Sequence, residues 1–464
     1  MVGPTVVSMT EQGVRWTADQ VLALAPDVAS RKAGSRLGTA GPWSGAGSGE
    51  GTVWGLCKGS GSRPYQTVVD LADVTGPGYK CSCPSRKFPC KHALGLLLLW
   101  AEGDGSVPVA AEPPDWAGQW LSGRRERAEN KRAGDDGGAA SGSGAADPDA
   151  ARRRAERRAK RVTAGATELE QRLADLLRGG LAAAEQAGYG QWDETAARMV
   201  DAQAPGLAAR VRELGAIPAS GPGWPARLLE ESALLHLLDQ GWLHRDRLPD
   251  ALAATVRSRL GLPAAPDGPP QRDRWLVLAQ YDTSDAKLTT RRIWLHGAGS
   301  GLTRLLLSYG AAGRAPELSL PVGLALDADL SVFPGAGQVR AALGEQYAPP
   351  APAALRPPGG TTAEAAARYG EALRADPWLD SVPVTLDRVV PAQDTGAGGA
   401  WQLADAEGDS ALPLAEAFRS RPGLWRLVAL SGGAPVRVFG ECGHRGFTPL
   451  TAWPEGPGDP VTLC

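Results

Sequence analysis

Residues Lys80–Trp100 read KCSCPSRKFPCKHALGLLLLW, and they place Cys81, Cys83, Cys90 and His92 within twelve positions as a Cys-x-Cys followed by a Cys-x-His. Thiolate sulfur and imidazole nitrogen are the donors that zinc takes, and a structural zinc site closes its tetrahedron with four protein ligands. In an extended segment, side chains at i and i+2 point the same way, so Cys81 and Cys83 present both sulfurs to one face. Pro84 has no N–H for a strand ladder and ends the strand. Pro89 suits the first position of a helix, which puts Cys90 and His92 in or just before the first turn. The predicted order is strand, ligand pair, loop, ligand pair, helix. The helix is expected from about Lys91 to Glu102. In it Ala93, Leu96, Leu97 and Trp100 follow i, i+3, i+4, i+7, and Leu94, Leu98 and Leu99 fill much of the other side. Such a helix is buried and docks the ligand knot onto the strands before it. The run is too short for a bilayer, which needs about 20 apolar residues. The helix dipole and the neighbours Lys80, Arg86, Lys87 and Lys91 favour the thiolate form.

With its ligands spaced CxCx6CxH, the stretch from Val68 to Trp100 resembles the SWIM zinc-finger family. The longer stretch from Trp16 to Trp100 looks like the N-terminal part of the bacterial, actinomycete-type SWIM zinc-finger proteins. The resemblance implies Zn2+, one per chain, on Cys81, Cys83, Cys90 and His92. It also implies a module that binds nucleic acid or another protein, without deciding between them. Members of that bacterial group tend to be encoded near AAA-type ATPases and von Willebrand A-type proteins. That implies, as the alternative, a cytoplasmic scaffold assembling with an AAA-type ATPase system. Two other readings of the cysteines are weaker. Reduced thiols can pack as small hydrophobes, but they need no such spacing. A disulfide is disfavoured because Cys81 and Cys83 stand too close for a comfortable bridge.

The chain has 464 residues and a formal net charge of −2, so no global electrostatic case for nucleic acid exists. The opening MVGPTVVSMTEQGVRW has no basic segment followed by an apolar core, so no signal peptide is expected. With no run of membrane length, the expected location is the reducing cytoplasm, where the six cysteines stay free or bind metal. The 15 tryptophans are scattered through apolar runs, which reads as core anchoring more than base stacking.

The fold expected is α+β and multidomain: a small zinc-stapled ββα-like N-terminal unit, a helical middle, and a mostly antiparallel, β-rich C-terminal domain. Residues 1–103 form the zinc-finger unit. Thr17 to Gln20 reads as a capping box. Gly34 to Gly51 reads as a Gly/Ser-rich loop. Strands are expected over Thr52–Leu56, Tyr65–Leu71 and Tyr79–Cys83. Residues 104–160 read as a flexible charged linker, with Asp115–Leu121 a short helix that docks back onto the zinc unit. Residues 161–262 read as a helical bundle, with Leu169, Leu173, Leu176 and Leu177 on one face. Residues 270–464 read as one mixed domain. Its expected strands are Trp275–Tyr281, Arg291–His296, Thr303–Tyr309, Val382–Val390, Trp401–Leu403, Leu424–Leu430 and Pro435–Phe439, with a helix over Thr361–Leu373.

Residues 1–100 carry ten Arg and Lys against six Asp and Glu. Arg86, Lys87 and Lys91 in the knuckle are candidates for phosphate contact, or an ordinary solvated loop. Ala151–Arg161, ARRRAERRAKR, has seven basic residues and one acidic, and reads as a solvent-exposed helical start more than a nucleic-acid helix. Cys57 reads as a buried thiol, and Cys442-Gly-His444 as an accidental repeat of the ligand spacing. No P-loop, dinucleotide fingerprint, HExxH, nucleophile elbow or zinc-deaminase pattern is present. The chain is therefore expected not to be an enzyme, and no catalytic residue is assigned.

Overall fold

A computed structural model describes residues 15–464 except 60, 62, 74–75, 104, 111, 138–147, 286–287, 312–315, 317, 338, 395–398 and 409. The opening read as lacking a leader and most of the Gly/Ser/Asp run of the linker lie outside the described residues.

The N-terminal unit opens with α1 (Ala18–Leu22) and α2 (Val28–Ser35). Thr17 accepts from the Gln20 amide, while the Gln20 side chain accepts from the Thr17 amide, so the capping box forms as expected. An antiparallel sheet follows, in the order β1 (Trp43–Gly49), β2 (Thr52–Cys57), β3 (Tyr65–Asp70) and β4 (Gly78–Cys81). β1 lies where a loop was expected. Its glycines carry no strand signal, but they are required: a Cβ on Gly47 would stand 2.9 Å from the Trp54 ring, and one on Gly49 would stand 2.7 Å from the Ala110 carbonyl. α3 (Lys91–Glu102) lies against this sheet, and all of its residues from His92 to Leu99 are buried. α2 crosses α3 closely, with Gly34 under Leu94 and Gly95 under Leu37.

The expected flexible linker is largely helical. α4 (Asp115–Gly137) and α5 (Pro148–Gly179) occupy it. The docking expected of Asp115–Leu121 is observed: Ala117 and Leu121 are buried with Trp54 and Val68, on the sheet face away from α3. The basic run is the exposed first third of α5. Arg152 pairs there with Asp149 and Glu156, and Arg158 and Arg161 donate to Gln203 Oε1. α6 (Ala182–Asp201), α7 (Pro205–Ala216), α8 (Trp224–Leu243) and α9 (Asp250–Arg259) complete a bundle. Its core holds Val162, Ala166, Leu169 and Leu173, spaced at helical intervals. Leu177 was expected on that face but is 50% exposed, while Leu176 beside it packs against the core.

The C-terminal region, expected as one domain, is two barrels. The strands of the first are β5 (Gln271–Ser284), β6 (Leu288–Gly297), β7 (Thr303–Ala311), β8 (Leu324–Val332), β9 (Arg340–Gln346) and the short β10 (Ala351–Pro352). β5, β6 and β7 form the expected meander. β8 then returns antiparallel to β5, and β9 pairs antiparallel with β8 and parallel with β7, closing a ring. After α10 (Thr362–Ala375) come β11 (Ser381–Gln393), β12 (Trp401–Asp405), β13 (Ala411–Pro413), α11 (Glu416–Arg419), α12 (Pro422–Ser431), β14 (Val436–Gly443), β15 (Gly446–Pro454) and β16 (Val461–Thr462). β14 returns antiparallel to β11, and β15 pairs with β14 and makes a parallel bridge from Phe447 to Leu414, the residue just after β13. The two rings share one connectivity: a meander of three strands, a fourth beside the first, and a fifth joining fourth to third. That is the Greek-key connectivity of the OB barrel. In each ring the long first strand serves both sides by bending at a bulge, between Val277 and Ala279 in β5 and between Leu386 and Val389 in β11.

Leu424–Leu430, expected as a strand, is the middle of helix α12. Pro422 sits in its first turn, Gly432 caps it in the left-handed conformation, and Leu424, Leu427 and Ser431 line its buried face. Phe418, Leu424 and Leu427 fill the interior of the second barrel. The first barrel is filled from the N-terminal unit. Trp16, Val21 and Leu24 join one continuous core with Trp275, Val277, Leu320 and Leu324, and the Gln20 side chain donates to the Val322 carbonyl at 3.2 Å. The outer face of the first barrel, through Leu276, Leu278 and Trp294, packs on Phe439, Leu450 and Trp453 of the second. Both faces of β5 are therefore covered, which explains its unbroken apolar run Trp275–Ala279. Among the described residues, no helix is long and apolar enough to cross a membrane.

Candidate metal centre

Cys81 is the last residue of β4, Cys83 lies in the bend after it, Cys90 is the N-cap of α3, and His92 stands in that helix's first turn. The expected strand through Cys83 stops two residues early, because Ser82 and Cys83 already turn toward Pro84. Pro89 precedes the N-cap and does not open the helix. Neither shift separates the donors. The Sγ atoms of Cys81, Cys83 and Cys90 and a ring nitrogen of His92 all lie within 4.8 Å of one another. Cys81 Sγ is 3.6 Å from His92 Nδ1. Sulfurs about 2.3 Å and a nitrogen about 2.0 Å from a tetrahedral ion stand about 3.5–3.8 Å apart, so the quartet suits zinc in its donor set and its approximate spacing. Cys90 and His92 are buried, and Cys81 and Cys83 half-buried.

The electrostatics of the bare thiols show why a cation suits the site. Cys81 is held down to about 3 by hydrogen bonding from Cys90, and further by His92 and Thr67, against the cost of burial. Cys90 is pushed up by that same thiolate and by burial, and Cys83 is pushed up mainly by burial. Three sulfurs this close cannot all be anionic unless a positive ion lies among them.

Two neighbours complete the surroundings. Thr67 stands directly opposite Cys81 in the β3–β4 register, with its hydroxyl 3.3 Å from the Cys81 sulfur. The Tyr65 ring covers the His92 ring at 4.8 Å between centroids. Neither was singled out from the sequence. Alternation along β3 puts Tyr65 and Thr67 on one face, but only the strand pairing shows that this face meets the ligands. Cys57 is fully buried outside the quartet, and burial raises its thiol. Cys442 lies in the second barrel's core, and His444 pairs with Tyr369, so this Cys-x-His gathers no further ligands among the described residues.

All three candidate cations, Arg86, Lys87 and Lys91, are exposed. Lys87 is engaged within the chain: its Nζ lies 2.7 Å from Asp27, the N-cap of α2. Between them Phe88 is 55% exposed, an aromatic ring on the outside of the knuckle that the sequence reading passed over.

Comparison with protein-family models matches residues 69–101 to the SWIM zinc finger and residues 157–260 to the SWIM-associated four-helix bundle domain. No curated protein and no solved structure matches the chain. The second match covers the bundle that begins in the basic part of α5 and ends after α9, whose sequence carries no ligand or catalytic motif of its own. The chain thus carries a SWIM zinc finger at residues 69–101 and a SWIM-associated four-helix bundle domain at 157–260.

Proposed function

We propose that Cys81, Cys83, Cys90 and His92 hold one structural zinc ion, and that the finger is an interaction module whose partner is nucleic acid. The observation that carries the first half is the convergence of four protein donors on one point beside a buried helix. With four protein ligands, no position is left for the water that a catalytic zinc activates, so the finger is read as binding and not as catalytic. His92 would ligate through Nδ1, leaving Nε2 to carry the ring proton.

The second half is supported by the exposed knuckle. Arg86 and Lys91 flank the exposed Phe88, which combines phosphate-seeking cations with a ring on which a base can stack. Lys87 has a smaller part, since Asp27 holds it. The test is oligonucleotide affinity of the zinc-loaded full chain at two salt concentrations. Wild type should weaken steeply as salt rises, and Arg86→Glu/Lys91→Glu should bind at least about tenfold more weakly while keeping its zinc. Binding that ignores both salt and this double variant would remove nucleic acid as the finger's partner.

A further inference from the structure

Where the bundle and the two barrels meet, a cleft of about 890 Å3 opens. Its floor is the edge of the outer face of β6 and β7, at Arg292 and at Trp294 and Leu305 where they pass under the second barrel, and its lip is the β8–β9 loop at Phe333, Pro334, Gly335, Ala336 and Val339. In an OB barrel the face of the second and third strands and the loop between the fourth and fifth are where oligonucleotides and oligosaccharides bind. β6 and β7 are the second and third strands of this ring, and the lip is its fourth-to-fifth loop. The loop is held in place by the bundle, since the Ala336 amide donates to the Thr255 hydroxyl at 2.8 Å.

The side chains decide between those ligand classes. Arg210, Arg292 and Arg340 all face the cleft. Arg292 Nε is buried and has no hydrogen-bond partner among the described residues, and its guanidinium is 3.9 Å from Glu441, which already accepts from Tyr281 and Trp294. Arg340 is exposed and stacks on the Phe333 ring, with its guanidinium carbon 4.2 Å from the ring centre. Planar guanidinium groups match phosphate, and an arginine laid on an aromatic ring makes a surface that accepts a flat base. Glu213 and Asp380, also in the lining, can accept from amino or hydroxyl groups. These carboxylates disfavour a duplex, whose phosphates would crowd them, and leave room for a single nucleotide unit.

We infer that this cleft binds a nucleotide, through phosphate on the arginines and base on Phe333. The unit is either a free nucleotide or one residue of a single strand. The inference does not rest on the finger's partner.

The experiment uses the zinc-loaded full chain. Calorimetry with AMP and ATP tests the free nucleotide, and anisotropy of a labelled oligothymidylate of about four nucleotides tests the strand. Arg340→Glu should weaken binding of whichever probe is held by about tenfold or more, Phe333→Ala by about fivefold or more, and Arg340→Lys should restore part of the loss. Each probe is measured with the Arg86→Glu/Lys91→Glu chain as the parent, so that oligonucleotide held at the finger does not contribute. Binding of the nucleotides assigns the free form, and binding of the oligonucleotide alone assigns the strand. Two results would overturn the inference: no probe bound by that parent chain, or binding untouched by the Arg340 and Phe333 variants.

Discussion

At the scale of single residues, the sequence is most legible where chemistry constrains it. Four metal donors at CxCx6CxH announce themselves, because few other uses require that spacing. Residues that matter through their surroundings do not. Asp239 looks like a surface residue of a Leu-rich helix, yet it is fully buried in α8, and neither carboxylate oxygen has a hydrogen-bond partner among the described residues. Burial, with Glu170 nearby, pushes it up to about 9. Glu170 itself is occupied by His236 and Gln240. Asp239 is therefore protonated in the folded chain at neutral pH and ionised in the unfolded chain. The sign follows: the unfolded state binds fewer protons, so stability falls as pH rises from about 4 toward 9. Asp239→Asn removes that dependence. Urea midpoints should decline less between about pH 7 and about pH 8.5 in the variant than in wild type, and equal slopes would contradict this protonation state.

Among elements, helices with ordinary start and stop signals were recovered. α3 runs from Lys91 to Glu102 as expected, and α10 starts after the Thr361 cap. α12 carries the same signals, Pro near the start and Gly after the end, but its apolar run is short enough to read as a strand. β1 was missed for a different reason, since close approach of Trp54 and Ala110 replaces strand propensity with glycine. Barrel closure could not be read at all. It depends on β9 meeting β7, a pairing between segments with no local signature. The crossing of α2 and α3 gives a test. Alanine at Gly95 should gain about 0.5–1 kcal/mol of helix propensity. Its Cβ, however, would stand 2.5 Å from Leu37 Cβ and 3.1 Å from the Leu37 carbonyl oxygen, and a backbone atom cannot rotate away. Overpacking of about 1–3 kcal/mol should win, so Gly95→Ala should lower the Tm; an unchanged or higher Tm would show that the helices can separate.

For the whole molecule, the finger is not a bead on a string. α4 backs its sheet, and α1 enters the core of the first barrel. A chelator should therefore loosen more than the knuckle. Hydrogen exchange after zinc removal should rise in α3 and also in β5 and β8, while the second barrel, filled by its own α12, stays protected. Exchange confined to the knuckle would show that the shared core tolerates loss of the metal. All of this stands on a closed zinc knot, and X-ray absorption at the zinc edge of the loaded full chain examines that directly. The account predicts a shell of three sulfurs at about 2.3 Å and one imidazole nitrogen at about 2.0 Å. A shell containing an oxygen ligand, or fewer than three sulfurs, would contradict it.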